Sequence, residues 1–445
     1  MASRIGFHRL VALIATSALV FPIGAQDGAY DTSFGNGGRT WIDVTSSTSD
    51  IANKLVRLPS GNFFLAGGCT SVACAAWLTP TGALATGYGT SGTGTAWFST
   101  FSGWPTDEHG ASDAAVFADG RIAVAVPNDS GDAGYLAVLK ANGSGLDPLV
   151  GNGAGYVAPS FSTQLVRVTP QQQVIVVGYL QASPAVTVVA RYDSTMHLDT
   201  SFGSGGSTTI GFSGFNTSPT GMTLQRDGKI VILATVGSSP GSLGIMRLTA
   251  GGAPDPDFGV NSDGLFRSAF GNMYGVTGND IVEDRKGRLV FVGFVRDVSL
   301  TGSQWFVDRV LGGGATDAGF NGGQPHQFTI VDSTTAWGPH ACCVAMQNDN
   351  RIVVAGAMTR PTGPNYYFAI ARFLDDGSFD FGYGGNGQSY GDMSPQPDSL
   401  SDAPISMVIV PGGVVVGGGT QVTGGEVRYS VTKVRIDPLF ASGFE

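Results

Sequence analysis

The chain of 445 residues contains 68 glycines, 42% apolar residues and only 13% charged residues, and its net charge is −10. This apolar fraction excludes a disordered chain, and the scarcity of Lys and Arg, 24 in total, argues against a nucleic-acid partner held through phosphate contacts. Because glycine-rich, charge-poor sequences with many β-branched residues form short strands joined by tight turns, an all-β fold is predicted.

The N-terminus predicts a cleaved signal peptide over residues 1–25. Arg4 and Arg9 flank the start of an eleven-residue apolar run at residues 10–20, and Ala25 ends a segment suited to cleavage. Eleven residues are too few to cross a bilayer, which takes about 20. We therefore expect an exported protein without a transmembrane segment, located in the periplasm, at the cell surface or outside the cell.

A turn followed by an apolar strand then recurs seven times, with a period of about 60 residues. A clear copy is Asp227-Gly-Lys-Ile-Val231, in which Asp-Gly reverses the chain before a strand. The equivalent turn positions are Gly61, Gly120, Gln172, Gly228, Gly287, Asn350 and Gly412.

A second pattern, Asp-x-x-Phe-Gly, keeps the same period. Its clearest copy is Leu198-Asp-Thr-Ser-Phe-Gly203, and a strand ending in Arg precedes several copies, as at Arg191 and Arg247. Two independent patterns in one register define a repeated unit, and each unit provides four strands.

A four-stranded unit cannot bury both of its faces alone, and radial packing of such units solves this problem. We therefore predict one seven-bladed β-propeller of four-stranded blades over residues 26–437, followed by a short tail at 438–445. A strand at residues 37–44 is expected to pair with residues 429–436 as the outer strand of the last blade. The N-terminal strand would thus close the ring.

The turn and strand at Asp227, the Ala-Arg strand ends and Leu198-Asp-Thr-Ser-Phe-Gly203 together resemble the delta-60 repeat family of exported bacterial proteins. The resemblance covers essentially all of the mature chain, although the copies near Ala85, Gln172 and Thr316 depart from the motif. It implies a propeller-like repeat, and it brings no known activity and no catalytic residues.

The repeated Asp, Phe and Arg residues are interpreted as structural. A calcium loop needs several oxygens at close alternate positions, whereas each loop here offers one or two carboxylates, such as Asp255 and Asp257. We expect Asp to cap its turn, Phe to fill the gap between blades and Arg to pair with Asp. No metal site and no cofactor are predicted.

The four cysteines form two local pairs. Cys69 and Cys74 are predicted to form a disulfide that staples the loop between them. The adjacent Cys342 and Cys343 could form a vicinal disulfide, as in quinone-cofactor dehydrogenases, which are also propellers. The tryptophan-bearing blade motif of those enzymes is absent, so we expect Cys342 and Cys343 to be mostly reduced residues of an inner strand.

No catalytic constellation is identified, and the four histidines after the signal peptide are too scattered to indicate a zinc site. We expect a monomeric, non-catalytic binding or scaffold protein. The alternatives are an enzyme with its site at the channel mouth, either a hydrolase or a quinone-dependent oxidoreductase, and a purely structural surface component.

Binding is expected on the end of the propeller whose loops differ from blade to blade. Loops carry grafted function, and aromatic residues dominate binding energy there. The candidate ligand-binding residues on these loops are Trp104, His109, Tyr274, Trp337, His340 and Tyr366. Their expected ligand is an unidentified protein or carbohydrate.

Overall fold

A computed structural model describes most of the chain after residue 26. The described residues are 27–44, 49–70, 72–105, 109–128, 133–237, 242–268, 270, 275–296, 303–330, 340–360, 365–396 and 399–436. The predicted signal peptide and the predicted tail at 438–445 lie outside this set. Among the described residues, no helix has both the length and the apolar character to span a membrane.

The strands form seven antiparallel sheets of four strands each, arranged as the blades of a ring. From the centre outward, blade 1 consists of β2 (Asp50–Arg57), β3 (Phe63–Cys69), β4 (Val72–Leu78) and β5 (Thr95–Trp97). Blade 2 consists of β6 (Asp113–Val116), β7 (Ile122–Val126), β8 (Tyr135–Leu139) and β9 (Tyr156–Val157). Blade 3 consists of β10 (Ser162–Val168), β11 (Val174–Leu180), β12 (Val186–Tyr192) and β13 (Ser207–Ile210). Blade 4 consists of β14 (Thr217–Leu224), β15 (Ile230–Val236), β16 (Ser242–Leu248) and β17 (Leu265–Ser268). Blade 5 consists of β18 (Gly275–Glu283), β19 (Leu289–Arg296), β20 (Ser303–Val310) and β21 (His326–Phe328). Blade 6 consists of β22 (His340–Met346), β23 (Ile352–Thr359), β24 (Tyr366–Phe373) and β25 (Gln388–Gly391). Blade 7 consists of β26 (Ser399–Val410), β27 (Gly413–Val422), β28 (Val427–Arg435) and β1 (Arg39–Ile42).

The helical content of the described residues is limited to short 3-10 turns. These are Thr90–Gly92, Phe98–Thr100, Gly151–Gly153 and Asn321–Gly323. The predicted all-β, seven-bladed propeller is confirmed.

The N-terminal strand closes the ring, as predicted. Strand β1 pairs antiparallel with β28, from Arg39 opposite Thr432 to Ile42 opposite Tyr429. The strand is shorter than the predicted 37–44 because Gly38 has a φ of +94° and still belongs to the turn before it. The outer position of blade 7 is therefore filled by the opposite end of the chain.

The core lies in the seams between blades rather than inside any blade. Seven clusters of buried apolar side chains are present among the described residues, one at each seam. In β15, Ile230 and Ile232 pack toward blade 3, whereas Val231 and Leu233 pack toward blade 5. Because alternate side chains of a strand point to opposite faces, burial on both faces explains the continuous apolar run.

One end of the ring is held by a repeated contact among Arg, Asp and Phe. In blade 4, Arg247 Nε donates to Asp255 at 2.6 Å, and the guanidinium lies 4.5 Å from the centre of the Phe258 ring. The same Arg also donates to the backbone carbonyl of Gly312 in blade 5. Equivalent ion pairs join Arg191 to Asp199 at 2.8 Å, Arg309 to Asp317 at 2.7 Å and Arg372 to Asp380 at 2.8 Å. These contacts confirm the structural interpretation of the repeated residues.

The first strand of each blade lies nearest the centre of the ring, and these strands are linked across the channel wall. Asn279 sits at a β-bulge of β18 and donates to the backbone carbonyl of Ala341 in blade 6 at 2.6 Å. Its neighbour Asp280 accepts the backbone N–H of Val344 at 3.0 Å. A bulge leaves backbone groups without their ladder partner, and here the adjacent blade supplies one.

A candidate ligand-binding site at the channel mouth

The two ends of the ring differ in the loops that they carry. We call the end with the Asp-Gly turns and Arg–Asp pairs the turn face. The opposite end, which we call the loop face, carries the connections from each second strand to the third and from each outer strand to the next blade. A cavity of about 470 Å³ opens among strand ends of the loop face.

The cavity is built by blades 5, 6 and 7 with one residue of blade 1. Phe294 and Arg296 end β19, His340 begins β22 and Tyr366 begins β24. Further lining residues are Ile51, Ser303, Ala357, Ser401, Asp402, Ala403, Gly419, Gln421 and Val427. Since first and third strands begin at the loop face and second strands end there, strand ends from several blades converge on one site.

Aromatic and basic groups meet on one side of this cavity. The Phe294 ring lies 6.1 Å from the His340 ring in an edge-on arrangement. The Arg296 guanidinium lies 5.4 Å from the centre of the same Phe294 ring. Such contacts limit the orientations of a long, flexible side chain.

Asp402 also lines the cavity and is almost completely buried, at 2% exposure. One carboxylate oxygen accepts the Thr420 hydroxyl at 2.7 Å, and the other accepts the backbone N–H of Met393 at 3.1 Å. Burial raises the pKa of Asp402 to about 7, although these hydrogen bonds and the charge of Arg360 act in the opposite direction. The Asp402 carboxyl is therefore largely protonated below neutral pH.

The bonding of Asp402 repeats in other blades. Asp50, at the start of β2, accepts the backbone N–H of Val44 at 3.0 Å. Thr217, at the start of β14, accepts the backbone N–H of Phe212 at 3.3 Å. Each of these side chains ties the preceding connection to an inner strand, so Asp402 has a structural role in addition to facing the cavity.

The structure brings together two of the six residues chosen from the sequence, His340 and Tyr366. Trp104 is only 8% exposed and packs against Phe98, Tyr135 and Tyr156, with ring centres 5.3 to 5.8 Å apart. We therefore place Trp104 outside the site.

Of the other three candidates, His109 belongs to the described residues. His109 lies in the connection from β5 to β6, apart from the residues that line the cavity. Tyr274 and Trp337 lie outside the described residues.

Sequence reasoning missed Phe294, Arg296 and Asp402. Aromatic residues in loops were considered from the sequence, whereas these three residues belong to strands β19 and β26. A usable signal was present in Phe294 and Arg296, which extend an apolar second strand toward the loop face.

Both cysteine pairs lie at disulfide-bonding distance. Cys69 and Cys74 are buried at the end of the β3–β4 hairpin, with Cα atoms 5.9 Å apart, and the Tyr429 hydroxyl donates to the backbone carbonyl of Cys74 at 3.1 Å. Contrary to the expectation of a reduced pair, the sulfurs of Cys342 and Cys343 also lie within bonding distance. The register of β22 on β23 shifts between Ala341 and Cys343, so Cys342 is the extra residue of a β-bulge beside Cys343.

Within the described part of the chain, no group of three or more His, Cys, Asp or Glu side chains is arranged to hold a metal ion.

Comparisons with known proteins agree with the fold. The family model described as "Domain of unknown function (DUF5122) beta-propeller" matches residues 225–258 and 347–380. These segments run from the Asp-Gly or Asp-Asn turn to the Asp-x-x-Phe or Phe-Asp segment in blades 4 and 6. No curated protein matches the chain in sequence.

Several solved structures are similar to this chain at low sequence identity. Polysaccharide lyase Uly1 is 10% identical, with 96% of each chain covered and a TM-score of 0.50. Hydrazine synthase of Kuenenia stuttgartiensis is 11% identical, with 89% of this chain and 99% of that chain covered and a TM-score of 0.48. A protein of unknown function from Dyadobacter fermentans is 12% identical, with 90% and 100% covered and a TM-score of 0.41. At these identities the likeness concerns the fold alone, and the chain is a seven-bladed β-propeller with two segments that match a β-propeller family model.

Proposed function

We propose that the protein is an exported carbohydrate-binding module of the delta-60 repeat type, which recognises its ligand in the loop-face cavity. The cavity lining is the observation that carries this proposal. Tyr366 and Phe294 supply aromatic surface, and Ser303, Ser401 and Gln421 supply hydrogen-bonding groups. A sugar ring has an apolar C–H face and a rim of hydroxyls, so it matches both kinds of lining.

The size and position of the cavity support the same proposal. A volume of about 470 Å³ lies within the usual range of small-ligand sites, roughly 300 to 1,000 Å³. The turn face is occupied by the repeated Arg–Asp contacts, which hold neighbouring blades together. The loop face does not carry these repeated Arg–Asp contacts, so its side chains can differ from blade to blade.

A glycan array probed with the full mature chain tests the proposal. Tyr366→Ala is expected to weaken binding by about 30-fold, because a central aromatic contact contributes roughly 2 kcal/mol or more. Tyr390→Ala is the matched control, since Tyr390 is an exposed tyrosine of β25 that does not line the cavity. Equal affinity of the Tyr366→Ala variant and the unchanged protein would contradict a site in this cavity.

A hydrolase acting at the same cavity is the second candidate. The observation in its favour is the pKa of Asp402 near 7, where a carboxyl group can serve as a general acid or base. Both oxygens of Asp402 already accept hydrogen bonds from the protein, and Asp50 has a comparable structural role, so we prefer the binding module. New reducing ends on an array-positive glycan, lost in Asp402→Asn, would replace the binding proposal by the enzymatic one.

A further inference from the structure

We propose that the loop-face cavity selects sugars that carry a carboxylate, and that Arg296 is the residue that determines this selectivity. The inference rests on the proposed carbohydrate-binding function and names the ligand class. It predicts uronate-containing oligosaccharides as ligands in preference to their neutral counterparts.

Arg296 is held where it can meet a ligand. It is the last residue of β19, and its backbone lies between Gly275 of β18 and Ser303 of β20. Its guanidinium lies 5.4 Å from the centre of the Phe294 ring, and both side chains line the cavity. A guanidinium is planar and donates two parallel N–H bonds, which match the two oxygens of a carboxylate.

The described lining of the cavity includes one permanent positive charge and one acidic group. Of the described residues that line it, Arg296 carries the permanent positive charge and Asp402 is the acidic one. The oxygens of Asp402 accept bonds from Thr420 and Met393, and only 2% of the residue is exposed. Because burial also raises the pKa of Asp402 to about 7, a ligand carboxylate meets little opposing charge there below neutral pH.

The remaining lining groups complete a sugar site rather than a site for a bare anion. Tyr366 offers an aromatic surface, and Ser303 and Gln421 offer neutral hydrogen-bonding groups for hydroxyls. The net charge of −10 repels anions at long range, so the preference has to come from the local contact with Arg296.

The experiment compares charged and neutral forms of one sugar. Trisaccharides of galacturonate, mannuronate and guluronate, their methyl esters and a sulfated galactose trisaccharide are titrated calorimetrically into the full mature chain at pH 6. Esterification removes the charge and keeps the rings and linkages. At least one uronate is expected to bind about 10-fold or more tightly than its ester, the typical effect of one charge-assisted hydrogen-bonded contact.

Two arginine variants assign the preference to a residue. Arg296→Gln is expected to lower the affinity for the uronate to that for the ester, so that the ratio of the two affinities falls to about 1. Arg267→Gln is the matched control, because Arg267 also lies over an aromatic ring, Phe215 at 4.4 Å, but projects from outer strand β17 and does not line the cavity. Thermal melting of both variants verifies that they fold.

Each other outcome overturns a defined part of the argument. Equal binding of uronate and ester, both weakened by Tyr366→Ala, overturns the carboxylate preference and leaves the proposed function standing. A preference that survives Arg296→Gln overturns the role of Arg296. Equally tight binding of the sulfated sugar replaces carboxylate selectivity by selectivity for any anion. Binding of no sugar, charged or neutral, overturns both the inference and the proposed function.

Discussion

Replacing Asp402 by asparagine is expected to make the protein more stable at neutral and alkaline pH. Burial raises the pKa of Asp402 from 3.8 to about 7 in the folded protein. A raised carboxyl pKa contributes stability that is fully present below the unfolded pKa and is lost as the pH rises through the folded pKa. The wild-type protein should therefore lose this contribution between about pH 4 and pH 7.

The size of the loss follows from the pKa difference. A difference of about three pKa units corresponds to about 4 kcal/mol, at roughly 1.4 kcal/mol per unit. Since only 2% of Asp402 is exposed, solvent screening reduces this figure little. Asp308 is also buried, and its pKa is likewise raised to about 7. It therefore also contributes to the loss of folding stability of the wild-type protein as the pH rises.

Asparagine reproduces the bonding of the protonated carboxyl. Its oxygen can accept the backbone N–H of Met393, and its amide can donate to the Thr420 hydroxyl, which replaces a 2.7 Å bond now made in the other direction. The variant and the wild type should thus be equally stable near pH 4. The advantage of the variant should grow by about 1.4 kcal/mol per pH unit up to pH 7 and then level off.

Urea unfolding at pH 4, 5, 6, 7 and 8, followed by tryptophan fluorescence, measures this difference. Asp263→Asn is the control, because Asp263 is exposed and its side chain accepts only a local backbone bond from Leu265 at 3.1 Å, which asparagine can keep. The control should follow the wild type within about 0.5 kcal/mol at every pH. Parallel profiles for Asp402→Asn and wild type would refute the raised pKa, and a variant that is less stable at pH 8 would show that the ionised carboxylate stabilises the fold.

Three further predictions concern the ring and its processing. Deleting residues 26–44 should cause aggregation or a large fall in melting temperature, because the edge of β28 loses its partner β1; an unchanged melting curve would contradict closure. Gly252→Ala should cost about 2 to 4 kcal/mol in a denaturant titration, because Gly252 has a φ of +89° and a Cβ would lie 2.7 Å from Phe202, whereas Gly205→Ala has open space and should cost only about 1 kcal/mol. Non-reducing peptide mapping of the protein secreted by its host should find Cys69 joined to Cys74 and an N-terminus at Gln26, and an intact Met1 would argue against export with cleavage after Ala25.

The blades could be predicted from the sequence because their signals are local and repeated. The run from Ile230 to Leu233 is apolar at every position, since one half of its side chains packs on each neighbouring blade. In blades 3 to 6 the Arg and Asp of the repeat are eight residues apart, as at Arg247 and Asp255, and the same ion pair forms in each of these blades. Periodic patterns of this kind need no knowledge of distant parts of the chain.

The cavity could not be predicted in the same way because its lining comes from distant segments. Arg296 and Gln421 belong to different blades, and only the geometry of the ring brings them to one cavity. Strand β26 shows a related difficulty, since it begins at Ser399, whereas the uninterrupted apolar run in its sequence covers only residues 407–410. Its first part lacks an apolar pattern and contains Ser401, Asp402 and Ala403, which line the cavity.

Trp104 shows why a loop aromatic is a weak guide to a binding site. It follows an outer strand on the variable end of the ring, yet it packs between blades 1 and 2 against Tyr135 and Tyr156. A large ring next to a seam gains more from burial in that seam than from exposure. Tyr366 is not buried in a seam in this way, because it is the first residue of β24 and lines the cavity.

The stabilising contacts of the ring lie in the seams and on the turn face, which leaves the loop face available for ligand binding. Each seam has its own apolar cluster, and the turn face adds an Arg–Asp pair in blades 3 to 6. A substitution at a strand end on the loop face therefore disturbs one seam, while the ring is still closed by β1 on β28. Side chains such as Phe294, Arg296 and Tyr366 can change at small cost to folding. The loop face can accordingly acquire a new ligand without a new fold.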